Sequence, residues 1–150
     1  MVAFFAACKK STPVDDSYDP LPQFKADTTA IRAFVKTNNI TVLKDSYGIF
    51  YQVIDPGAGS IVYSATTKVT ADYEGKLLNG TIFDSTKGTP ITFTLGQVIP
   101  GWQIGLQRIQ KGGKIRLIIP SYYAYGTSSP SSLIPANSIL DFTITLTDVQ

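Results

Sequence analysis

One stretch, residues 98–109, is predicted to be helical in a chain that otherwise reads as short strands after Leu43. Pro100 suits the first turn of a helix, because the N–H that proline lacks would have no partner there. Gly112 and Gly113 then favour an end to the helix. A chain of this kind must bury several strands against a single short helix. That requirement narrows the fold more than any other feature of the sequence.

The apolar side chains of this helix share one face. Trp102, Leu106 and Ile109 follow the i, i+4, i+7 spacing of a buried helical stripe. Gly105 lies on the same face, and a glycine inside a helix costs about 1 kcal/mol relative to alanine. We therefore expect the helix backbone to approach its partner surface closely at Gly105. Trp102 is either an ordinary core residue or the floor of an apolar pocket at the start of the helix.

Alternation of apolar and polar residues predicts the strands. In the clearest case, every second residue from Leu140 to Leu146 is apolar and would face inward. Asn79-Gly80 is a strong hairpin signal between two other segments. The predicted strands are 47–54, 67–77, 81–84, 91–95, 114–119 and 140–147. These elements indicate an α+β fold, with a curved antiparallel β-sheet of five or six strands wrapped around one short central helix.

The composition excludes several kinds of function. Thirteen basic and eleven acidic residues give a net charge of +2, and no basic run occurs, so no nucleic-acid partner is expected. The chain contains no histidine, which removes histidine acid–base catalysis, Ser-His and Cys-His nucleophiles and most zinc sites. No glycine-rich phosphate loop occurs either. We predict no metal and no cofactor, and a function that relies on aromatic, aliphatic and hydroxyl side chains.

Residues 1–8 form a short apolar run that ends in small residues before Cys8, the single cysteine of the chain. The run looks like the end of a bacterial lipoprotein signal, in which the cysteine becomes the lipid-bearing amino terminus. It is too short to span a membrane and lacks the basic region that opens a full signal. The alternative is an ordinary buried or free cysteine. We expect a lipid on Cys8 that attaches the protein to a membrane.

The next segment, residues 9–26, is rich in Pro, Asp and Ser, a composition that predicts a flexible tether. Asp27 could cap a short helix that follows it. Residues 27–46 are therefore interpreted as a short N-terminal helix and a connection, and residues 47–150 as the main domain. Residues 1 to about 25 are expected to be dispensable for folding.

Five short motifs carry a family resemblance. They are VTADYEG at 69–75, FDS at 83–85, VIPGW at 98–102, AYG at 124–126 and Ile134-Pro135. In order and spacing they resemble the FKBP-type peptidyl-prolyl cis-trans isomerases over residues 47–149. Bacterial members of that family open their central helix with a similar VIPGW. The resemblance implies a curved sheet wrapped on one helix, an isomerase domain at 47–150 and rotation about X–Pro bonds as the activity.

The resemblance also implies the site residues. The catalytic residues would be Tyr73, Phe83, Asp84, Ile99, Trp102 and Tyr125. The substrate would further contact Ile91, Phe93, Val98, Ile134 and Phe142. Trp102 would lie under the proline ring, while the Ile99 N–H and the Tyr125 hydroxyl hold substrate carbonyls. Ile91 stands where the family often has an aromatic residue, which would shrink one wall.

The partners implied are proline-containing polypeptides, with the macrolide inhibitors of the family as further ligands. The protein would be a monomer that assists the folding of exported proteins in the bacterial cell envelope. Its lipid would hold it at the periplasmic face of the outer membrane. Two alternatives stay open. One is a non-catalytic chaperone or scaffold of the same fold that holds proline segments. The other is a carbohydrate-binding or adhesion domain, which the outward-facing Thr, Asp and Lys residues disfavour.

Overall fold

The structure is a computed structural model that describes residues 20–150. Cys8 and residues 9–19 of the predicted tether lie outside the described residues. The helices are α1 (Pro20–Thr37) and α2 (Pro100–Gly105), with 3-10 turns at Leu95–Gln97, Leu106–Arg108 and Ser121–Tyr123. The strands are β1 (Leu43–Lys44), β2 (Phe50–Asp55), β3 (Lys68–Leu77), β4 (Ile82–Ser85), β5 (Ile91–Thr94), β6 (Lys114–Ile119) and β7 (Leu140–Val149).

The strands form one antiparallel sheet in the order β1-β2-β6-β7-β3-β4, with β5 also paired to β3. The predicted fold class is confirmed, but the described residues contain seven strands rather than five or six. The additional strand is β1, which has only two residues, both exposed. A segment that short carries no alternation for sequence analysis to detect. The Asn79-Gly80 turn joins β3 to β4, and Gly80 adopts the left-handed φ of 89° that this turn requires.

Helix α2 lies on the inner face of the sheet at very short range. A Cβ placed on Gly105 would come within 2.5 Å of the Leu117 side chain, and one on Gly101 within 2.5 Å of Ile119. The close approach predicted at Gly105 is therefore confirmed. The regular helix ends at Gly105, and a 3-10 turn continues the chain. Even so, Trp102, Leu106 and Ile109 are all buried in the main core, as their spacing predicts.

Helix α1 covers the outer face of the sheet. Its residue Ile31 is fully buried and forms a second core cluster with Phe50 of β2 and Ile118 of β6. The predicted tether of residues 9–26 is wrong for positions 20–26, which are helical. Pro20 and Pro22, two of the prolines that suggested a tether, fall in the first turn of α1, where a missing N–H is harmless. In the part of the chain that is described, no helix has the length and apolar character to cross a membrane.

The predicted cap, Asp27, lies inside α1 rather than at its start. Its side chain is buried, and its carboxylate accepts hydrogen bonds from Ser121, which is 94 positions away along the chain. Asp is a preferred helix cap because its carboxylate accepts a backbone N–H. Here the carboxylate accepts a backbone N–H from a distant segment instead, which no local pattern reveals.

Candidate active site

A cavity of about 480 Å³ opens beside the start of α2. It lies between the inner face of the sheet and the long loop that joins β6 to β7. Of the eleven site residues predicted from the sequence, all but one line it. The lining residues are Tyr73, Phe83, Asp84, Phe93, Gln97, Val98, Ile99, Trp102, Tyr125, Pro130, Ser131, Ile134 and Phe142.

The floor of the cavity is an aromatic cluster centred on Trp102. Rings from three strands meet the indole edge to face: Tyr73 of β3 at 5.1 Å, Phe142 of β7 at 5.3 Å and Phe93 of β5 at 5.7 Å between centroids. Such geometry is the favourable one for aromatic pairs. Trp102 is 4% exposed, and its indole N–H has no hydrogen-bond partner among the described residues. The floor is therefore apolar and rigid, with one unused donor.

Gly75 explains how the rings fit on β3. A Cβ at this position would lie 2.6 Å from the Phe83 ring and 2.8 Å from the Phe142 ring. The two rings themselves pack edge to face, with centroids 5.5 Å apart. A side chain at position 75 would displace both of them, so the missing side chain shapes this wall.

The polar wall of the cavity joins Tyr73 to Asp84. The Tyr73 hydroxyl donates a 2.5 Å hydrogen bond to Asp84 Oδ2. Burial, and then this hydrogen bond, raise the pKa of Tyr73 far above its ordinary value of 10.0. The pKa of Tyr125 is also raised, chiefly by burial and then by the charge of Asp84. Both phenols therefore stay protonated, and able to donate, throughout the neutral range.

The VIPGW segment forms the opposite edge. The Ile99 carbonyl accepts the N–H of Trp102 at 3.0 Å, and Gln103 Nε2 donates to the Val98 carbonyl at 2.8 Å. These bonds fix the two residues before Pro100. The Ile99 N–H itself has no hydrogen-bond partner in the described part of the chain, and Ile99 lines the cavity. The Ile99 N–H is therefore available to donate a hydrogen bond to a ligand at the edge of the cavity.

The loop between β6 and β7 closes the remaining side. Tyr125 is 39% exposed and lines the cavity, whereas Ile134 is buried with 6% exposure and reaches it from below the loop surface. The loop is tied internally, because Ser129 Oγ donates to the Ile134 carbonyl at 2.7 Å and the Asn137 N–H to the Gly126 carbonyl at 2.7 Å. The loop is therefore an ordered wall of the cavity.

Ile91 is the predicted site residue that does not line the cavity. It opens β5, pairs with Ala71 and is 47% exposed. Because Ile91 faces solvent beyond the cavity rim, it does not shrink a wall as expected. Three further residues, Gln97, Pro130 and Ser131, line the cavity although the sequence did not predict them. Pro130 and Ser131 lie in a long loop, and a long loop inside a compact domain is usually functional. For Gln97, the sequence offers only its position next to Val98 as a signal.

The arrangement suits a small apolar ring that is flanked by carbonyl groups. Aromatic rings would enclose the apolar part, and an N–H and a phenol could each donate to a carbonyl at the edge. Within residues 20–150, no cluster of three or more acidic, cysteine or histidine side chains exists that could hold a metal ion. The cavity residues can bind a ligand, exclude water from it and form hydrogen bonds with it.

Comparison with known proteins gives the same picture. The family described as FKBP-type peptidyl-prolyl cis-trans isomerase matches residues 60–147. The isomerase FkpA of Buchnera aphidicola (from Schizaphis graminum) is 47% identical over 111 residues, which are 73% of this chain and 44% of that protein. FkpA of Escherichia coli K12 is 44% identical over 111 residues, covering 73% of this chain and 40% of that protein. The chain thus spans less than half the length of these two relatives.

The similarity to solved structures covers more of the chain. A peptidyl-prolyl cis-trans isomerase of Pseudomonas syringae pv. tomato DC3000 superposes with a TM-score of 0.71 at 33% identity, covering 89% of this chain and 97% of that one. The crystal structure of E. coli FkpA gives a TM-score of 0.69 at 37% identity, covering 87% and 64%. The sequence motifs, the sheet on its short helix and the aromatic cavity agree with these matches. The chain belongs to the FKBP-type peptidyl-prolyl cis-trans isomerase family.

Proposed function

We propose that this protein is a peptidyl-prolyl cis-trans isomerase that binds X–Pro segments of polypeptides in the cavity beside α2. The observation that carries the proposal is the aromatic floor around Trp102, bordered by the Ile99 N–H and the Tyr125 hydroxyl. A proline ring fits the apolar part, and the carbonyls on either side of it fit the donors. Membership of the family supports the same activity.

The reaction has a barrier that such a cavity can lower. The planar imide resists rotation by about 18–20 kcal/mol, so an uncatalysed X–Pro bond isomerises in roughly tens to hundreds of seconds. The twisted state loses amide resonance and the charge separation that goes with it. A dry aromatic cavity therefore favours the twisted state over the more polar planar state. Each ~1.4 kcal/mol of this preference gives about a tenfold gain in rate.

We assign the polar roles to four residues. The Ile99 N–H and the Tyr125 hydroxyl donate to substrate carbonyls, and these bonds accelerate the reaction to the extent that they strengthen in the twisted state. Tyr73 and Asp84, already joined by a hydrogen bond, form a fixed polar wall against the twisting imide. The apolar roles belong to Phe83 and Trp102, which enclose the proline ring, and to the substrate-contacting residues Phe93, Val98, Ile134 and Phe142.

No step requires a proton to move to or from the protein. Rotation about the imide breaks no σ bond, so neither a general base nor a nucleophile is needed. This mechanism is compatible with a chain that contains no histidine. A carboxylate and two phenols suffice, because their role is to donate or accept hydrogen bonds.

A protease-free isomerisation assay on a short X-Pro-Phe peptide tests the proposal directly. We expect catalysed exchange that saturates with peptide and is inhibited by a macrolide inhibitor of the family. Binding of the peptide can be followed in parallel through Trp102, the single tryptophan of the chain. A protein that quenches its Trp102 fluorescence on binding peptide but does not accelerate exchange is a holding module and not an isomerase.

The cellular setting is a second part of the proposal. We propose that Cys8 carries a lipid and that the protein assists the folding of exported proteins in the bacterial cell envelope, at the periplasmic face of the outer membrane. The apolar run with small residues before Cys8 supports this assignment. We further propose that the protein acts as a monomer. Detergent partitioning of the native protein against a Cys8→Ser variant is the test, and a native protein that stays aqueous overturns it.

A further inference from the structure

Helix α1 is joined to the cavity loop by one buried carboxylate. Asp27 Oδ2 accepts two hydrogen bonds from Ser121, one from its N–H at 2.8 Å and one from its hydroxyl at 2.6 Å. Asp27 Oδ1 accepts a third, from Gln23 Nε2 at 2.7 Å. Asp27 is 2% exposed and Ser121 is 1% exposed, although 94 positions of chain separate them. A buried charge that accepts this many bonds holds its partner firmly.

Ser121 in turn holds both neighbours of a cavity residue. Its carbonyl accepts the N–H of Ala124 at 3.0 Å and the N–H of Gly126 at 2.8 Å. Tyr125 lies between these two residues. Its own side chain makes no hydrogen bond and no ring–ring contact within the described residues, and it is 39% exposed. The placement of Tyr125 therefore depends on its backbone, which the Ser121 carbonyl fixes from both sides.

Aromatic packing strengthens the same connection. The ring of Phe24, on α1, meets the rings of Tyr122 and Tyr123 edge to face, at 6.3 and 6.2 Å between centroids. Helix α1 thus contacts the segment 121–123 through both a buried ionic acceptor and an aromatic edge. This helix lies outside the residues 60–147 that match the family.

We infer that Asp27 is a positioning residue, through which helix α1 sets the place of Tyr125 at the rim of the cavity. The inference rests on the proposed function, because it assigns Tyr125 a hydrogen bond to the substrate. A purely structural role for Asp27 is the competing explanation. In that case its removal would lower stability but leave Tyr125 and the backbone on either side of it unchanged in the folded protein.

The first measurement does not depend on activity. Amide hydrogen exchange of Ala124 and Gly126 is compared in the wild type, Asp27→Ala and a control, at a temperature where all are folded. The control is Asp141→Ala, because Asp141 is also a buried carboxylate, 6% exposed, that accepts two hydrogen bonds, both from Arg116. We expect Asp27→Ala to speed exchange at the two amides at least tenfold beyond the Asp141→Ala control. Equal exchange in the two variants overturns the inference.

The second measurement is a double-mutant cycle with Tyr125→Phe. Asp27→Ala alone should lower kcat/KM about three- to tenfold, the effect expected when one hydrogen bond is lost. In the Tyr125→Phe background, Asp27→Ala should have little further effect, whereas any effect of Asp141→Ala should be the same in both backgrounds. Full additivity of Asp27→Ala and Tyr125→Phe overturns the inference.

The two measurements separate this inference from the proposed function. If the wild-type protein does not accelerate cis–trans isomerisation of the peptide, the proposed isomerase activity is wrong. Amide hydrogen exchange at Ala124 and Gly126 still decides whether Asp27 holds the loop. Ser121→Ala provides a milder variant in case Asp27→Ala does not fold, because it removes the hydroxyl bond and keeps the backbone one. We expect it to change exchange at Ala124 and Gly126 in the same direction, by a smaller factor. No change at either amide in Ser121→Ala would count against the inference.

Discussion

The inner and outer faces of the sheet are covered by helices that make different kinds of contact. On the inner face, α2 lies so close that Gly101 and Gly105 have no room for a side chain, and the space beside it is enclosed by aromatic rings. On the outer face, α1 adds a buried carboxylate at Asp27 to its apolar contact with Phe50 and Ile118. The inner helix helps to form the cavity, whereas the outer helix holds a loop at its rim.

The difference lies in what each contact can specify. Apolar packing is non-directional, so it fixes distance through volume and tolerates changes that keep the volume. A buried carboxylate with two donors fixes the position and orientation of one group. Packing on the inner face therefore determines the size of the cavity. The contact on the outer face helps to determine the position of the loop that forms one wall of the cavity. Each prediction below tests one side of this contrast, from the largest expected effect to the smallest.

Loss of α1 should have the largest effect on stability. A chain that begins at Asn38 exposes the outer cluster around Phe50 and Ile118 and loses Ile31, Phe34 and Val35, which pack in it. Full burial of such a side chain is worth about 1.5–3 kcal/mol; Ile31 is fully buried, whereas Phe34 and Val35 are partly buried. We expect the free energy of unfolding to fall by about 5 kcal/mol or more, which is the whole stability of many domains. Urea unfolding, against a chain that begins at Pro20, measures the loss.

A chain that begins at Asp27 sharpens this prediction. On composition alone, residues up to about 25 are expected to be dispensable, but this truncation removes Gln23, which bonds Asp27, and Phe24, whose ring lies against Gly48 and Tyr123. We expect a loss of about 1–3 kcal/mol, in proportion to one partly buried aromatic ring and one hydrogen bond. Unchanged unfolding relative to the chain that begins at Pro20 would show that the outer contact is dispensable after all.

The same contrast explains what the sequence could predict about the fold. The inner face follows from the apolar residues at every second position of β6 and β7, and from the stripe of Trp102, Leu106 and Ile109. The outer face does not, because Ile118 falls at a position where alternation predicts a polar residue. An apolar residue there requires a cover, and the prolines at the start of α1 instead suggested a tether. The Asp27–Ser121 bond spans 94 positions and has no local signature at all.

For the candidate site, motif membership accounts for most but not all of what could be predicted. Eight of the ten predicted residues that line the cavity lie in the five family motifs, which carry both residue type and spacing, whereas Phe93 and Phe142 lie outside these motifs on the predicted strands. Ile91 lies outside it, because β5 starts there and its side chain falls beyond the rim. Pro130, Ser131 and Gln97 belong to no motif. They reach the cavity through loop conformation, which depends on bonds such as that from Ser129 Oγ to the Ile134 carbonyl.

The inner contact should resist even one added methyl group. Gly105→Ala gains about 1 kcal/mol in helix propensity but places a Cβ 2.5 Å from the fully buried Leu117. Overpacking of this kind costs about 1–3 kcal/mol, so we expect a net loss of stability. The matched control is Gly112→Ala, whose Cβ would meet no atom within 4 Å but whose φ of 81° gives it a purely conformational penalty. If Gly105→Ala unfolds later than the wild type in urea, the close contact is more yielding than we argue.

Within the cavity, an apolar wall should matter more than a single donor. Phe83→Ala removes a ring that packs on Phe142 at 5.5 Å, and buried side chains of this size are worth about 1.5–3 kcal/mol. Tyr125→Phe keeps the ring and removes one hydroxyl, worth about 0.5–1.5 kcal/mol. We expect kcat/KM to fall in both variants, and further in Phe83→Ala. Two folded variants with wild-type turnover would mean that substrate does not use this cavity.

The smallest expected effect is that of pH, because the proposed reaction moves no proton and the two phenols of the cavity stay protonated throughout the neutral range. Turnover should be nearly flat between about pH 6 and 9 and independent of chelator, since the phenols of Tyr73 and Tyr125 both have a pKa raised by burial. Initial rates against pH, with and without chelator, measure this. A bell-shaped profile with unit slopes would indicate acid–base catalysis, and loss of activity with chelator would indicate a metal.

At alkaline pH the raised phenol pKa values should instead affect the free energy of unfolding. Tyr73 in the unfolded chain ionises near its ordinary value of 10.0, whereas burial and then the hydrogen bond to Asp84 keep it protonated in the folded protein. The contribution of Tyr73 to the free energy of unfolding is therefore complete below about pH 10. It is lost as the pH rises above that value towards the pKa of Tyr73 in the folded protein. Asp84→Asn removes the charge that helps to raise both phenol pKa values, so the last part of the rise in tyrosinate absorbance, to which these two of the eight tyrosines contribute, should occur at a lower pH in this variant. An unchanged tyrosinate titration would show that Asp84 does not affect the two phenols, and that burial alone raises their pKa values.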